Sequence, residues 1–238
     1  MKQEMQEGSG GRRRGIQSVE IGLRVLQSLS ALGVPSSLSA VAQQDPGTTR
    51  YDLGPAAIML GLGALARTDA FRLVDALIAD FTVRSGQTVQ IAALGPLGPT
   101  IVRWYPGTPA VAASLSVGSV LSLIHSATGR VFLAFAAAAE TQDLLKKEQR
   151  RSPLTKGALD GICAHVRADG RAEVSGTVIP GLSAVAFPIF NLQARPVLSA
   201  TLLWPGILTD GGQASAADEL ASICVQISAQ LGWLQASS

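Results

Sequence analysis

The sequence is short of the residues on which most enzyme and metal chemistry depends. Cys163 and Cys224 are its two cysteines, far apart and without a partner at ligand spacing, so neither a disulfide framework nor a zinc site is supported. The two histidines, His125 and His165, leave little general-base capacity. There is no Gly-x-Ser-x-Gly elbow, no phosphate-binding loop and no His-Glu-x-x-His. Gly61-Leu62-Gly63-Ala64-Leu65-Ala66 mimics part of a dinucleotide fingerprint, but it falls inside a helical pattern with no strand before it. The expectation is a protein that is not an enzyme and needs no cofactor or metal. Long apolar runs are missing too: Arg67, Asp69, Arg72 and Asp75 interrupt the best candidates before the roughly eighteen residues a membrane crossing needs. Residues Met1 to Gly15 lack the apolar stretch of a secretory signal, which places the chain in the cytoplasm as an expectation.

What is present is apolar and globular. Hydrophobic residues make up 47% of the 238 and charged residues 15%, which excludes a disordered tail or a collagen-like fibre. The length suits a small domain joined to a medium one. Residues 1 to 50 carry six Lys/Arg against four Asp/Glu, whereas the remainder is balanced, so the whole net charge of +2 sits at the N-terminus. That asymmetry points weakly to a polyanion partner for the N-terminal segment.

Along the chain, residues 1–15 hold Arg12-Arg13-Arg14 between glycines and read as a basic arm. Ser18 stands as an N-cap, Glu20 lies in the first turn, and Val19, Leu23, Leu26 and Leu29 recur at helical spacing up to Pro35. A second helix opens at Ser39, but Asp45-Pro46-Gly47 stops it after little more than a turn. Thr49 to Pro55 reads as a strand leaving a turn. Residues 56–66 and Ala70 to Ser85 then form helical patterns, the natural linker over 55–85. From Gln87 the period changes: strands are predicted at Thr88–Leu94, Thr100–Tyr105, Ser114–Leu121, Ala172–Ile179, Ser183–Phe190 and Pro196–Trp204. Helices are predicted at about Thr128–Ala139 and Leu154–Asp169, with a closing helix marked by Leu220, Ile223, Ile227, Leu231 and Leu234. Strands grouped in two sets around helices imply an α+β class, with an antiparallel sheet and helices segregated to one side.

Three stretches carry a family resemblance. Gly15-Ile16-Gln17-Ser18-Val19-Glu20 with Leu23, Val25 and Leu26, then Ser37-Leu38-Ser39-Ala40-Val41-Ala42, and Arg50-Tyr51-Asp52-Leu53-Gly54 form the first. Val117 to Leu121 leading to Ser126-Ala127-Thr128-Gly129-Arg130 is the second. Pro180-Gly181-Leu182-Ser183-Ala184-Val185-Ala186-Phe187-Pro188 is the third and most specific. Together they resemble the isocitrate lyase regulator (IclR) family of bacterial transcriptional regulators. The resemblance implies a winged helix-turn-helix over 16–54, linker helices over 55–85 and a GAF-like or profilin-like effector domain over 86–238. It also implies a dimer or tetramer binding double-stranded operator DNA and a small-molecule effector of the carboxylic acid class.

For DNA, the resemblance and the charge pattern single out Arg12, Arg13, Arg14, Ser18, Ser39, Thr48, Thr49 and Arg50. The arginines and the wing tip suit phosphate and minor-groove contacts, which position a domain without reading bases. A solvated tail and a plain polar turn would look the same. For the effector, the candidates are Ser126, Ala127, Thr128 and Gly129, at a helix start suited to a carboxylate, with Leu182, Ala184, Thr201 and Leu203 from adjacent strands. N-capping and ordinary core packing are the alternatives. His125, Trp104 and Tyr105 are secondary candidates.

One element of the resemblance is missing. Family members have roughly twenty further residues between the second helix and the wing, holding the helix that enters the major groove. Between Gln44 and Tyr51 such a helix does not fit at about 1.5 Å per residue, and Pro46 and Gly47 oppose one. Either a segment is omitted from the written sequence or the deletion is genuine; family-like flanks on both sides favour the first. The genuine deletion would leave a ligand-binding and oligomerising module without specific DNA recognition.

Overall fold

The computed structural model describes residues 69–111, 114–206 and 211–233, together with Val25, Ser36–Ser37 and Arg50–Tyr51. The chain divides into two units, Met1–Arg67 and Thr68–Ser238. In the first, strand β1 (Ser36–Ser37) pairs antiparallel with β2 (Arg50–Tyr51), Ser36 opposite Tyr51 and Ser37 opposite Arg50. Ser36–Ser37, expected to lead into the second helix, is therefore a strand. The first and second helices, the linker pattern over 56–66 and Leu234 lie outside the described residues.

The second unit is built on five antiparallel strands. Helix α1 (Asp69–Ser85) precedes β3 (Thr88–Gly95) and β4 (Gly98–Tyr105); helices α2 (Ala127–Phe135), α3 (Ala138–Gln149) and α4 (Lys156–Asp169) follow. Then come β5 (Ala172–Ser175), β6 (Leu182–Phe190), β7 (Pro196–Pro205) and the closing helix α5 (Gly211–Gln230). The sheet order is β4-β3-β7-β6-β5, so the last strand in the chain lies at the centre. That order pairs residues distant in sequence, with Gln90 opposite Thr201 and Ala186 opposite the same Thr201 on its other side.

The fold is α+β as expected, but helices cover both faces of the sheet and are not segregated to one. β6 is buried from Val185 through Phe190 and β7 from Leu198 through Trp204, and strands buried at consecutive positions have no solvent face. On one face Ala127, Val131 and Ala134 of α2 pack with Val166, Ala172 and Ala186. The opposite face presents Val89, Ile91, Val185 and Leu202, all fully buried, and α1 and α5 pack together on the sheet with Val74, Ile78, Phe81, Leu220 and Ile227 fully buried. Each such side chain contributes about 1.5–3 kcal/mol on leaving water. The boundary at Arg67/Thr68 falls within the stretch read as linker, and α1 belongs to the second unit.

Three local expectations change. Ser114–Leu121 is not a strand; a single bridge joins Val120 to Thr100, because Gly118 adopts a positive φ in a turn with Val117 and a bend at Ser114 interrupts the segment. The helix expected at Thr128–Ala139 stops at Phe135, and a separate helix, α3, was not foreseen. Extended backbone at Ala136 and Ala137 breaks the pattern, and the Glu140 carboxylate accepts from the Ala137 N–H at 3.0 Å to start α3. The strand expected at Ala172–Ile179 ends at Ser175, where Gly176 turns the chain at φ +67°.

Candidate functional site

The start of α2 is the most constrained point in the second unit. Ser126 has extended backbone, its Oγ accepts from the Gly129 N–H at 2.8 Å, and its hydroxyl donates to the Ser122 carbonyl at 2.6 Å. It is an N-cap in the full sense. The preceding turn is clamped by Glu148, whose carboxylate accepts from the Ser122 hydroxyl at 2.9 Å and from the N–H groups of Leu123 and Ile124 at 2.5 and 3.1 Å. Arg130 donates to the Ile124 carbonyl at 2.9 Å, and burial lowers its pKa from the ordinary guanidinium value. Thr177 donates to the His125 carbonyl at 2.8 Å, tying the turn to the chain after β5. Gly129 makes close helix approach possible: a Cβ there would lie 2.1 Å from the Ser122 carbonyl oxygen.

With Ser126 Oγ committed to Gly129, the N–H groups of Ala127 and Thr128 find no acceptor among the described residues. Orphan N–H groups at a helix start carry the positive end of its dipole. They open on a small cleft between α2 and the sheet. Its floor is polar and fully buried: Gln90 Nε2 donates to Thr128 Oγ1 at 3.2 Å, and the Thr128 and Thr201 hydroxyls share a hydrogen bond at 2.8 Å. Its walls are apolar, with Leu182, Ala184 and Leu203 from the sheet, Val174 from β5, Val178 and Ile179 from the turn after it, and Leu115 and Leu121 before α2. Among the described residues, no Lys, Arg, Asp or Glu lines it. An anion there would be held by backbone N–H groups and hydroxyls alone.

The structure brings seven of the eight effector candidates to this one cleft: Ser126, Ala127, Thr128, Leu182, Ala184, Thr201 and Leu203. Alternation explains the sheet residues, since Ala184 stands opposite Leu203 and Thr201 opposite Ala186, all on the face toward α2. Gly129 does not line the cleft; its place is against the Ser122–Leu123 backbone. His125 points the other way, with Nε2 2.9 Å from Ser152 Oγ, into a wider groove shared with Lys147, Arg150 and Arg151. The carboxylate of that groove, Glu148, is already used on backbone N–H groups. Tyr105 donates to Asp75 at 2.5 Å at the sheet edge; with Trp104 it lies outside the cleft. Arg50 pairs in β2, while Arg12, Arg13, Arg14, Ser18, Ser39, Thr48 and Thr49 lie outside the described residues.

Sequence reasoning missed Gln90, Leu115, Leu121, Val174, Val178 and Ile179. A signal existed for Gln90: it is a polar residue in the apolar run Thr88-Val89-Gln90-Ile91-Ala92, and such a residue at an interior strand position needs a buried partner. The loop residues carried no period to place them.

Known proteins share this architecture. The family model described as "Bacterial transcriptional regulator IclR C-terminal" matches residues 62–228. The HTH-type transcriptional regulator XynR of Escherichia coli K12 is 25% identical over 170 residues, covering 69% of this chain and 68% of that protein. The crystal structure of Pseudomonas aeruginosa HmgR is 29% identical, with a TM-score of 0.64 over 91% of this chain and 98% of that one. An IclR transcriptional regulator from Alicyclobacillus acidocaldarius is 25% identical, with a TM-score of 0.71 over 91% and 99%. With the family model spanning most of its length, and with the sheet and helices of an effector domain in place, this chain belongs to the IclR family of transcriptional regulators.

Proposed function

We propose that the second unit senses a small organic or aromatic acid, whose carboxylate sits at the start of α2 against the N–H groups of Ala127 and Thr128, with Ser126, Thr128 and Thr201 as the nearest hydroxyls. The observation that carries this reading is the pair of unpaired N–H groups opening on a cleft that has apolar walls and a hydroxyl-bearing floor. Such a site suits a carboxylate with a short apolar body. Leu182, Ala184 and Leu203 would contact that body.

As a regulator, the chain would act as a dimer or tetramer on operator DNA in the cytoplasm. One winged module gives limited affinity, whereas two on half-sites about one helical turn apart bind as one bivalent reader. The acid would change operator affinity by favouring one arrangement of subunits over another, which requires unequal affinity for the two. Arg12, Arg13, Arg14, Ser18, Ser39, Thr48, Thr49 and Arg50 are the proposed DNA contacts.

A second reading is favoured by one observation. Pairing of Ser36–Ser37 with Arg50–Tyr51 brackets residues 38–49, fewer than the roughly twenty that two helices and their turn occupy. On this reading the chain binds its acid and assembles, but recognises no specific operator. A gel-shift titration against the gene's own upstream DNA, with the salt concentration varied, separates the two. Nanomolar, sequence-specific binding supports the regulator and sinks the module; micromolar binding that tracks salt alone does the reverse.

A further inference from the structure

The floor of the cleft holds a polar atom that the acid reading does not use. Gln90 is 2% exposed and sits on β3 directly opposite Thr201. Its amide nitrogen donates to Thr128 Oγ1, but its carbonyl oxygen, Oε1, is buried without any hydrogen-bond partner. An amide oxygen left so in a closed interior costs free energy, and here it belongs to a residue that lines the cleft.

Thr128 Oγ1 accepts from Gln90 Nε2 and shares one hydrogen bond with Thr201 Oγ1, in which either hydroxyl can be the donor. The cleft offers donors on one side, the Ala127 and Thr128 N–H groups, and on the other Gln90 Oε1, the side-chain acceptor of its described lining that is buried without a partner. A plain carboxylate satisfies the donors and leaves the acceptor empty. A ligand carrying a hydroxyl beside its carboxylate satisfies both.

The geometry points to a hydroxy acid as the effector, with its carboxylate at the start of α2 and its hydroxyl donating to Gln90 Oε1. This rests on the acid-sensing reading above. Thr128 supplies both a backbone N–H and the hydroxyl that holds the Gln90 amide, so the two ends of the ligand contact are close. The hydroxyl therefore belongs on a carbon adjacent to the carboxylate or one bond further. Gln90 is the residue that sets this preference, since among the described lining residues it carries the side-chain acceptor buried without a partner, and a site built to accept from a hydroxyl discriminates against the analogue without one.

The test is calorimetric titration of the full chain with two matched series, propionate, lactate and pyruvate, and phenylacetate, mandelate and phenylglyoxylate. Within the series that fits the cleft, the hydroxy acid binds about tenfold or more tightly than its unsubstituted and keto counterparts. In Gln90→Leu that advantage disappears, the ratio of hydroxy-acid to unsubstituted-acid affinity falling to about one. Gln90→Met serves the same purpose if the leucine variant does not fold. Acids binding with no preference for the hydroxyl, or a preference that survives in Gln90→Leu or Gln90→Met, overturns the assignment and leaves the acid reading standing. A preference for the keto acid also overturns it, since it would require the Gln90 nitrogen to face the ligand. Binding of none of the six overturns the acid reading and the hydroxy acid with it.

Discussion

Gln90 and Thr201 face each other across paired strands, and the Thr128 hydroxyl from helix α2 bonds to both. Three residues from three elements therefore fix the distance between the helix start and the sheet. Thr128→Val keeps the shape and removes the link, leaving the buried Gln90 amide and the Thr201 hydroxyl without it. The expected cost is about 1–3 kcal/mol, and thermal unfolding should show the midpoint falling by about 2–4 °C per kcal/mol. Acid affinity should fall in the same variant, read by calorimetry.

Glycines provide a sharper contrast, because two lie in helices with opposite surroundings. At Gly129 a Cβ would meet backbone, 2.1 Å from the Ser122 oxygen and 2.6 Å from the Leu123 Cα, and backbone cannot swing aside. At Gly161, exposed within α4, it would meet nothing within 4 Å. Gly129→Ala should destabilise by about 1–3 kcal/mol through overpacking, whereas Gly161→Ala should stabilise by about 0.5–1 kcal/mol through helix propensity. Denaturant melts of both variants check the pair, and equal shifts would contradict it.

Alkaline pH should weaken the fold. Cys224 is fully buried and desolvation pushes its thiol well above the ordinary 9.0; burial and the bond to Asp75 push Tyr105 well above 10.0. In both, the unfolded chain ionises first. Below about pH 8 neither group changes the balance, and as pH rises past 9 the unfolded state loses protons that the folded state keeps. Stability should then decline by up to about 1.4 kcal/mol per pH unit for each group, Cys224 first. Chemical denaturation from pH 7 to 10.5 measures this, and in Tyr105→Phe the later part of the decline should be smaller.

Most of the sheet was legible in the sequence because its strands alternate or run continuously apolar between turn residues. β3, β4, β6 and β7 each fall within a few residues of their expected bounds. α3 was not, since Ala136 and Ala137 continue a helical composition while their backbone is extended, and nothing in their side chains marks the break. Covering of both sheet faces was hidden for a related reason: it depends on where α1 and α5 meet, a contact between the first and last helices of the second unit that no local period records. For the cleft, hydroxyls at a helix start and alternating residues of one strand were readable. Gln90 reaches the same place only through the pairing of β3 with β7, which topology sets and local pattern does not.

The most direct test is the backbone amide spectrum of the isotopically labelled chain, titrated with an acid that calorimetry shows to bind, or with lactate and mandelate in turn. A carboxylate accepting from Ala127 and Thr128 should move those two amide resonances downfield in a saturable way, with smaller shifts at Gln90 and Thr201. Saturable shifts confined to the groove of His125, Lys147 and Arg151, with Ala127 and Thr128 unmoved, would contradict a carboxylate site at the start of α2.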